Sequence, residues 1–238
     1  MAVAIVTGAS KGLGLALALG LAAEGYDLVL DARHGPPLRA AAAAVEAAGG
    51  GRIRVRALAG DVSETGHRRE IVAAAGELGG LDLLVNNASA LGPSPLPPLA
   101  TLDLDAYRHV LEVDCVAPLA LIQEALPQLR RSPDPRVLNV TSDAAVEHYE
   151  GWGGYGSAKA ALDHLSTTLA VEENGVRVFA VDPGDMRTDM HQAAFPGEDI
   201  SDRPEPEAVV PALLALVGGD ARSGRYRAAE LAALRGQR

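Results

Sequence analysis

Short apolar segments that alternate with longer helical patterns constrain the fold of this chain of 238 residues more than any other feature. Strands are predicted for the continuous apolar runs at 2–7, 27–31, 52–58, 81–86, 137–141 and 176–182. Helices are predicted between them, at 12–25, 38–48, 65–78, in a long stretch after the Pro-rich loop 92–98, and at 158–174 and 207–217. Strands that are apolar on both faces and separated by helices are typical of a parallel sheet covered on both sides. The pattern predicts an α/β fold, a Rossmann-type doubly wound parallel sheet in three layers, with residues 1–238 as a single domain.

The composition indicates which partners the protein lacks. Its 31 acidic and 21 basic residues give a formal net charge of −10, which repels nucleic acid and anionic lipid. No apolar run reaches the length of about 18 residues that suggests a membrane span, and residues 1–7 lack the basic start of a signal peptide. Cys115 is the only cysteine, which excludes an intrachain disulfide, and no histidine has metal-ligand spacing. We expect a cytoplasmic protein with no metal, no nucleic-acid partner and no membrane contact.

A glycine-rich turn joins the first predicted strand to the first helix. Gly8, Gly12 and Gly14 allow a tight turn and a close approach of the backbone to a ligand, because they carry no Cβ atom. The free N–H groups and the positive end of the helix favour a pyrophosphate. A purely structural turn is the alternative. We expect this segment to bind the phosphates of a dinucleotide through Gly8, Ser10, Lys11, Gly12, Leu13 and Gly14.

The end of the second predicted strand bears on which dinucleotide is bound. An acidic residue near this point usually holds the ribose 2′-hydroxyl of NAD, whereas an arginine accepts the 2′-phosphate of NADP. Alternation places Asp31 and Arg33 on one face, and by register Ala32 falls where the acid of an NAD site is expected. A 2′-phosphate carries about two negative charges. The two cationic side chains of Arg33 and Lys11 could balance them. The sequence favours NADP(H); a solvated Arg33 and an NAD site at Asp31 are the alternatives.

Two residues follow the third predicted strand at the same edge of the sheet. Asp61 is placed to accept a hydrogen bond from the adenine amino group, and Val62 is placed to pack on the ring. An aspartate that caps a turn or a helix is an equal alternative. We predict that both residues contact the cofactor and leave this alternative open.

A tyrosine and a lysine are spaced to share one face of a helix. Tyr155 and Lys159 are four residues apart, and Ser142 directly follows the fifth predicted strand. A free tyrosine has a pKa of about 10, and an ammonium within about 4–6 Å lowers it. Such a tyrosine can exchange a proton with a carbonyl or alcohol oxygen while a hydride moves to or from the carbon. The serine hydroxyl would bind the same oxygen, so these three residues are predicted to be catalytic.

Together, these segments resemble the short-chain dehydrogenase/reductase family. The resemblance covers nearly the whole chain, in order and spacing: Thr7-Gly8-x-x-x-Gly12-x-Gly14, Asn86-Asn87-Ala88, Ser142, Tyr155-x-x-x-Lys159, and Pro183-Gly184 followed by Thr188. It implies cofactor contacts from the segment Asn86-Asn87-Ala88, with Asn87 and Ala88 among the binding residues. It also implies that Pro183, Gly184 and Thr188 lie beside the nicotinamide or the pyrophosphate. Tyr155 and Lys159 would contact the cofactor as well, and a homodimer or homotetramer is expected.

Several positions depart from the family pattern. Asp114 stands where the family usually has a catalytic asparagine that holds a water in a proton relay. We predict that Asp114 belongs to this relay, with a buried structural aspartate as the alternative. Ser89 and Asp182 replace a glycine and an asparagine of the pattern, and the segment 223–227 predicts a short last strand without the usual Asp-Gly-Gly. The polar loop at about 184–206 suggests a lid over the substrate, and the tail 231–238 is predicted to be helical or frayed.

The predicted function is that of an NADP-dependent short-chain dehydrogenase/reductase acting on a small carbonyl or alcohol, for example a carbonyl reductase. A first alternative is a non-redox reaction on the same scaffold, such as epimerisation or dehydration. A second alternative is a nucleotide-binding regulator that has lost its chemistry. Such a regulator would usually have lost Tyr155 or Lys159, and both are present here.

Overall fold

Seven parallel strands form one sheet at the centre of the molecule, for which the computed structural model describes residues 1–235. The strands are β1 (Val3–Val6), β2 (Asp27–Ala32), β3 (Val55–Ala59), β4 (Leu83–Asn86), β5 (Arg136–Val140), β6 (Arg177–Asp182) and β7 (Gly224–Arg227). Their spatial order is β3-β2-β1-β4-β5-β6-β7. Strands β2 and β3 are added on one side of β1, and β4 to β7 are added on the other side. The strand order therefore reverses between β1 and β4, which is the switch point of a doubly wound sheet.

Helices cover both faces of this sheet. They are α1 (Gly12–Ala23), α2 (Gly35–Ala48), α3 (Thr65–Glu77), α4 (Leu104–Leu111), α5 (Ala117–Leu129), α6 (Gly153–Glu172), α7 (Asp189–Ala194), α8 (Val210–Gly218) and α9 (Ala228–Arg235). The central strands are apolar without interruption because both of their faces are covered; every residue of β1 is at most 1% exposed. On one side Leu17 and Leu21 of α1 pack on the sheet, and on the other side Ile71 of α3 and Leu121 of α5 do so.

The predicted fold class is confirmed: the sheet is parallel, doubly wound and enclosed by helices. The last strand, predicted at 223–227, is β7 at one edge of the sheet. The third strand starts at Val55 rather than Arg52, and as the other edge strand it is largely exposed. The loop predicted at 184–206 contains the short helix α7, and α9 covers 228–235, so the described part of the predicted tail is helical. The remaining part of the predicted tail, 236–238, lies outside the described residues.

The long helix predicted after the loop 92–98 is interrupted. Between α4 and α5 the backbone widens into a π-helical turn, Glu112–Val116, before it returns to α-helical geometry. Such single turns are rare and are frequently found at functional sites. Here the turn contains Asp114, which is fully buried.

Candidate functional site

A cleft with a volume of about 570 Å³ opens at the carboxyl edge of the sheet. It spans the switch point between β1 and β4, where doubly wound proteins bind their ligands. The predicted site residues that line it are Gly8, Ser10, Lys11, Gly12, Leu13, Arg33, Asp61, Val62, Asn87, Ala88, Ser142, Tyr155, Lys159, Pro183, Gly184 and Thr188. Gly14 and Asp114 do not line the cleft but lie behind its wall.

The glycine turn is locked to the end of β4. The Thr7 hydroxyl accepts hydrogen bonds from the main-chain N–H groups of Asn87 and Ala88, at 2.9 and 3.0 Å. The Asn87 amide donates in return to the Thr7 carbonyl, at 2.9 Å. Gly8 has a φ of +64°, and a Cβ atom on it would lie 2.9 Å from the Ala88 Cα atom. The two strand ends therefore meet with no room for a side chain between them.

Gly14 and Gly12 serve the turn in different ways. A Cβ atom on Gly14 would collide with the Gly8 carbonyl oxygen and the Asn87 amide, so this glycine permits close packing. Gly12 has a φ of +55°, and in the described part of the chain the Thr188 methyl group is the one atom within 4 Å of the position of a Cβ atom, at 3.6 Å. The start of α1 thus faces open space in the cleft, with Thr188 on the opposite side.

The residues at the end of β2 have separate environments. Arg33 is exposed, and no ion pair of its guanidinium occurs within residues 1–235. Asp31 is 1% exposed, and its Oδ1 atom lies 2.6 Å from the His67 Nε2 atom. The carboxylate that the sequence left as a rival NAD ligand is therefore already held by a histidine. The second predicted cation, Lys11, pairs with Asp189 at 2.5 Å across the mouth of the cleft, where both side chains are largely exposed.

Asp61 forms a turn of its own. Its Oδ1 atom accepts from the main-chain N–H and the hydroxyl of Ser63, at 2.9 and 2.7 Å, and these bonds hold the pKa of Asp61 below its ordinary value although partial burial raises it. The turn aspartate considered as an alternative is thus present, and Asp61 and Val62 also line the cleft. Asn86, by contrast, is buried in the sheet and donates to Asn139 at 2.8 Å, outside the cleft.

Tyr155 and Lys159 lie in the first two turns of α6 and are both buried. The Lys159 Nζ atom lies 5.5 Å from the centre of the Tyr155 ring and donates to the Val140 carbonyl at 3.1 Å. It also lies 3.8 Å from the Asp114 Oδ1 atom. The predicted pair is therefore brought together, and the carboxylate of Asp114 faces the same ammonium.

Burial dominates the pKa of Tyr155. It raises the pKa above the ordinary value, more than the Lys159 ammonium lowers it, and the Asp114 charge raises it further. The phenol is thus protonated near neutral pH and can donate a proton. Burial alone would lower the pKa of Lys159, but Asp114 and Tyr155 hold it above its ordinary value, so the amine stays charged.

Asp114 occupies the buried π-helical turn and is anchored on one side only. Its Oδ1 atom accepts from the main-chain N–H of Ala90 at 2.9 Å. Its Oδ2 atom is buried and has no hydrogen-bond partner among residues 1–235. Burial raises the pKa of this carboxyl, and the Lys159 ammonium partly offsets the effect. The aspartate therefore places a buried carboxylate beside the lysine, at a position where the family usually has the uncharged side chain of an asparagine.

Ser142 is fixed by two residues that the sequence did not single out for this role. Its hydroxyl donates to Asp143 Oδ1 at 3.0 Å, and its carbonyl accepts from Arg225 Nη2 of β7 at 2.9 Å. Arg225 also pairs with Asp163 of α6 at 2.8 Å and lies 3.9 Å from Asp182. Two departures from the family pattern, Asp182 and the arginine-rich last strand, are thus neighbours of opposite charge.

One wall of the cleft is rich in aromatic and sulfur-containing side chains. The Trp152 ring lies 5.8 Å from the Tyr155 ring and 5.9 Å from the Phe195 ring, and the His191 ring of α7 lies 4.9 Å from the Phe195 ring at a tilt of 40°. Met186 and Met190 line the same part of the cleft. The wall joins the start of α6 to α7, so the segment 184–206 covers the cleft beside Tyr155.

The most informative residue that the sequence analysis missed is His67. Its partner Asp31 was considered, but the two are 36 residues apart and lie in different elements, and nothing in their spacing marks the contact. Asp143 directly follows Ser142 and was detectable as a polar neighbour. Neither a metal cluster of three or more His, Cys, Asp or Glu side chains nor a helix able to cross a membrane occurs within residues 1–235.

The sheet order and the glycine turn at its switch point place the protein among the doubly wound α/β proteins that hold a dinucleotide at this edge. The model of the short chain dehydrogenase family matches residues 2–199. The chain therefore belongs to the short chain dehydrogenases, which are oxidoreductases.

Similar proteins have names that agree with membership of this family. The chain is 36% identical to sepiapterin reductase of Meriones unguiculatus over 203 residues, which cover 81% of this chain and 77% of that protein. It is 35% identical to an uncharacterised oxidoreductase of Saccharomyces cerevisiae over 191 residues, which cover 79% and 72% of the two chains.

Solved structures show the same fold. A short chain dehydrogenase from Shigella flexneri, complexed with NADP, has a TM-score of 0.86 and 26% identity, with coverage of 96% of this chain and 97% of that one. An alcohol dehydrogenase from Thermococcus sibiricus, complexed with 5-hydroxy-NADP, has a TM-score of 0.84 and 29% identity, with 95% of each chain covered. These neighbours support a nicotinamide cofactor for this fold.

Proposed function

We propose that the protein is an NADP-dependent oxidoreductase that transfers a hydride between nicotinamide and a small carbonyl or secondary alcohol. The observation that carries the proposal is the buried pair of Tyr155 and Lys159, because both residues line the same cleft as the glycine turn. A tyrosine and a lysine on the surface would lack both the cleft and the burial. Their position favours an enzyme over a nucleotide-binding regulator.

The residues of the cleft fit a dinucleotide. The start of α1 presents main-chain N–H groups and the positive end of a helix dipole to the space in front of Gly12, which suits a pyrophosphate. Among residues 1–235, no atom lies within 4 Å of the position of a Cβ atom on Gly184, so the segment after β6 also leaves room for a ligand. Ser10, Leu13, Asn87 and Thr188 line the cleft between these points.

Charges at the end of β2 support NADP over NAD. Arg33 lines the cleft with an exposed guanidinium, while the competing carboxylate of Asp31 is paired with His67. The ion pair of Lys11 with Asp189 is exposed, and such pairs contribute only about 0–1 kcal/mol, so the lysine can turn to a 2′-phosphate. Solved neighbours that are complexed with NADP or NADPH agree with this choice.

The side chains around Tyr155 supply the proton chemistry. When bound, the nicotinamide supplies the hydride for reduction or accepts it in oxidation. Tyr155 donates its phenolic proton to the carbonyl oxygen, and the neighbouring Lys159 ammonium stabilises the phenolate that remains. The Ser142 hydroxyl turns from Asp143 to the same oxygen and stabilises its developing charge. In oxidation the proton moves from the alcohol to Tyr155.

Asp114 takes part in the proton relay by acting on Lys159. Its carboxylate keeps the amine charged and offers an unpartnered buried oxygen that can accept from a water molecule. It also holds the pKa of Tyr155 high, which favours the protonated phenol and therefore the reduction of a carbonyl. The sepiapterin reductases among the relatives are named as reductases, in agreement with this direction. The wall of Trp152, Met186 and Met190 suits a substrate with an apolar group beside the carbonyl.

The test is an assay by nicotinamide absorbance, in which a panel of ketones is supplied with NADPH or NADH and a panel of alcohols with NADP⁺ or NAD⁺. We expect a change in absorbance with both substrate classes and a preference for NADPH. Substrate turnover without a net change in absorbance would instead indicate epimerisation or dehydration.

A cofactor variant sharpens this test. Arg33→Ala should weaken NADPH binding by about tenfold or more, because one charge-assisted contact to the 2′-phosphate contributes about 1.5–3 kcal/mol, and it should leave NADH binding nearly unchanged. Arg39→Ala, which removes an exposed arginine outside the cleft, is the charge-matched control. Equal losses for the two cofactors would contradict the assignment of NADP.

A further inference from the structure

A buried histidine lies behind the part of the cleft that would hold the cofactor ribose. His67, on the first turn of α3, is 9% exposed and does not line the cleft. Its ring lies against Gly60, where any Cβ atom would collide with it, so the glycine makes room for the imidazole. The histidine is thus fixed in place between the end of β2 and the turn after β3.

The partner of this histidine belongs to the cleft itself. Asp31 is the last residue but one of β2, and its carboxylate lies close enough to the main-chain N–H of Gly8 for that group to lower its pKa. The Asp31 carbonyl accepts from the N–H of Ala9 at 2.8 Å. Through Asp31, a side chain on α3 therefore touches the segment that faces the phosphates and the ribose.

The surroundings of His67 favour its charged form. The titratable groups that act on it are Asp31, Glu70 and Asp61, all of them acidic, and the hydrogen bond to Asp31 raises its pKa although burial opposes this. Burial raises the pKa of Asp31 above its ordinary value, and the histidine offsets only part of this effect. The two groups stabilise each other as an ion pair, in which the carboxylate is neutralised by the imidazolium.

We propose that His67 determines the preference for NADP over NAD by neutralising Asp31 and holding its carboxylate away from the ribose. This inference rests on the proposed function. A free carboxylate at the end of the second strand accepts the 2′-hydroxyl of NAD and repels the about two negative charges of a 2′-phosphate. His67 removes both effects without contacting the cofactor, and Arg33 is left to bind the phosphate.

The experiment measures the dissociation constants of NADPH and NADH by isothermal titration calorimetry for the wild-type protein and three variants. His67→Leu removes the charge and the hydrogen bond, and His67→Gln keeps a hydrogen-bond donor without the charge. The double variant Asp31→Asn/His67→Leu removes the carboxylate as well. We expect the ratio of the NADH constant to the NADPH constant to fall at least about tenfold in both single variants, a difference of about 1.4 kcal/mol. The double variant should recover the wild-type ratio to within about threefold.

Two results would overturn the inference. A ratio that stays within about twofold of wild type in both single variants would show that His67 does not act on cofactor choice. A ratio that stays low in the double variant would show structural damage rather than an unpaired charge. Failure of the proposed function has different signatures: the wild-type protein would bind NADH as tightly as NADPH if the choice of NADP were wrong, and it would turn over substrate without a net change in nicotinamide absorbance if the redox chemistry were wrong. The ratios of the variants relative to wild type would still decide the role of His67.

Discussion

Replacement of Lys159 tests the buried charge pair at the centre of the site. The Lys159 Nζ atom lies 3.8 Å from the Asp114 Oδ1 atom, and the two side chains are 3% and 0% exposed. At an effective dielectric constant of about 20, two unit charges at this distance attract each other by about 4 kcal/mol. Removing one partner of a buried pair costs about 3–5 kcal/mol because the other charge stays uncompensated. We therefore expect Lys159→Met to lower the free energy of unfolding by about 3–5 kcal/mol at pH 8.

The loss should depend on pH in a defined direction. Burial already raises the pKa of Asp114, and the variant removes the ammonium that lowers it. A carboxyl group whose pKa is higher in the folded than in the unfolded state binds more protons when folded, so stability falls as the pH rises between the two values. Acidification should thus restore part of the stability of Lys159→Met relative to wild type.

Urea unfolding at several pH values measures both effects. Asp114→Asn/Lys159→Met, which removes both charges, should be more stable at pH 8 than Lys159→Met alone by at least about 2 kcal/mol. Lys11→Met is the control, since its ion pair with Asp189 is exposed and contributes about 0–1 kcal/mol. If Lys159→Met unfolded within about 0.5 kcal/mol of wild type at every pH, the pair would not be buried and coupled as described.

Two further predictions concern the same cleft. Asp114→Asn removes a charge that raises the pKa of Tyr155, so the alkaline limb of carbonyl reduction should move to lower pH in a profile of kcat/KM; no shift, or a shift to higher pH, would contradict the role given to Asp114. Gly14→Ala places a Cβ atom against the Gly8 carbonyl, so it should cost about 1–3 kcal/mol of stability and weaken NADPH binding, both measurable in one thermal-shift titration. Gly66→Ala on α3 is its control, because the added Cβ atom meets no described atom within 4 Å; equal effects of the two substitutions would refute the packing of the turn.

Most of the fold was predictable because its signals are local. Uninterrupted apolar runs located β1, β4 and β6 to within two residues, and Gly8 and Gly12 marked the turn through the positive φ angles that they adopt. The start of α6 was predicted too late in the chain, at residue 158, whereas the helix begins at Gly153 and includes Gly156, which packs against the Ala144 carbonyl.

The contacts that the sequence did not reveal join distant segments. The π-helical turn around Asp114 packs against α6, as α4 does, and no periodicity in the sequence encodes this contact. The pair of Asp31 with His67 and the bond from Arg225 to Ser142 cross 36 and 83 residues of sequence. Motif spacing predicted which residues meet at the cleft, but not the charges that surround them. A homodimer or homotetramer stays a prediction.

The central claim is that Tyr155 exchanges the proton with the substrate oxygen, and Tyr155→Phe tests it most directly. The substitution removes one hydroxyl from a ring that is 8% exposed, so the fold and NADPH binding should persist. The rate of carbonyl reduction should fall by about 10²–10⁴-fold, the usual contribution of a general acid. Tyr107→Phe is the control, because it removes a hydroxyl of α4 that forms a hydrogen bond with Ser157 of α6 outside the cleft. This variant should retain the wild-type rate. If Tyr155→Phe bound NADPH and reduced the substrate at the wild-type rate, the proposed mechanism would be wrong.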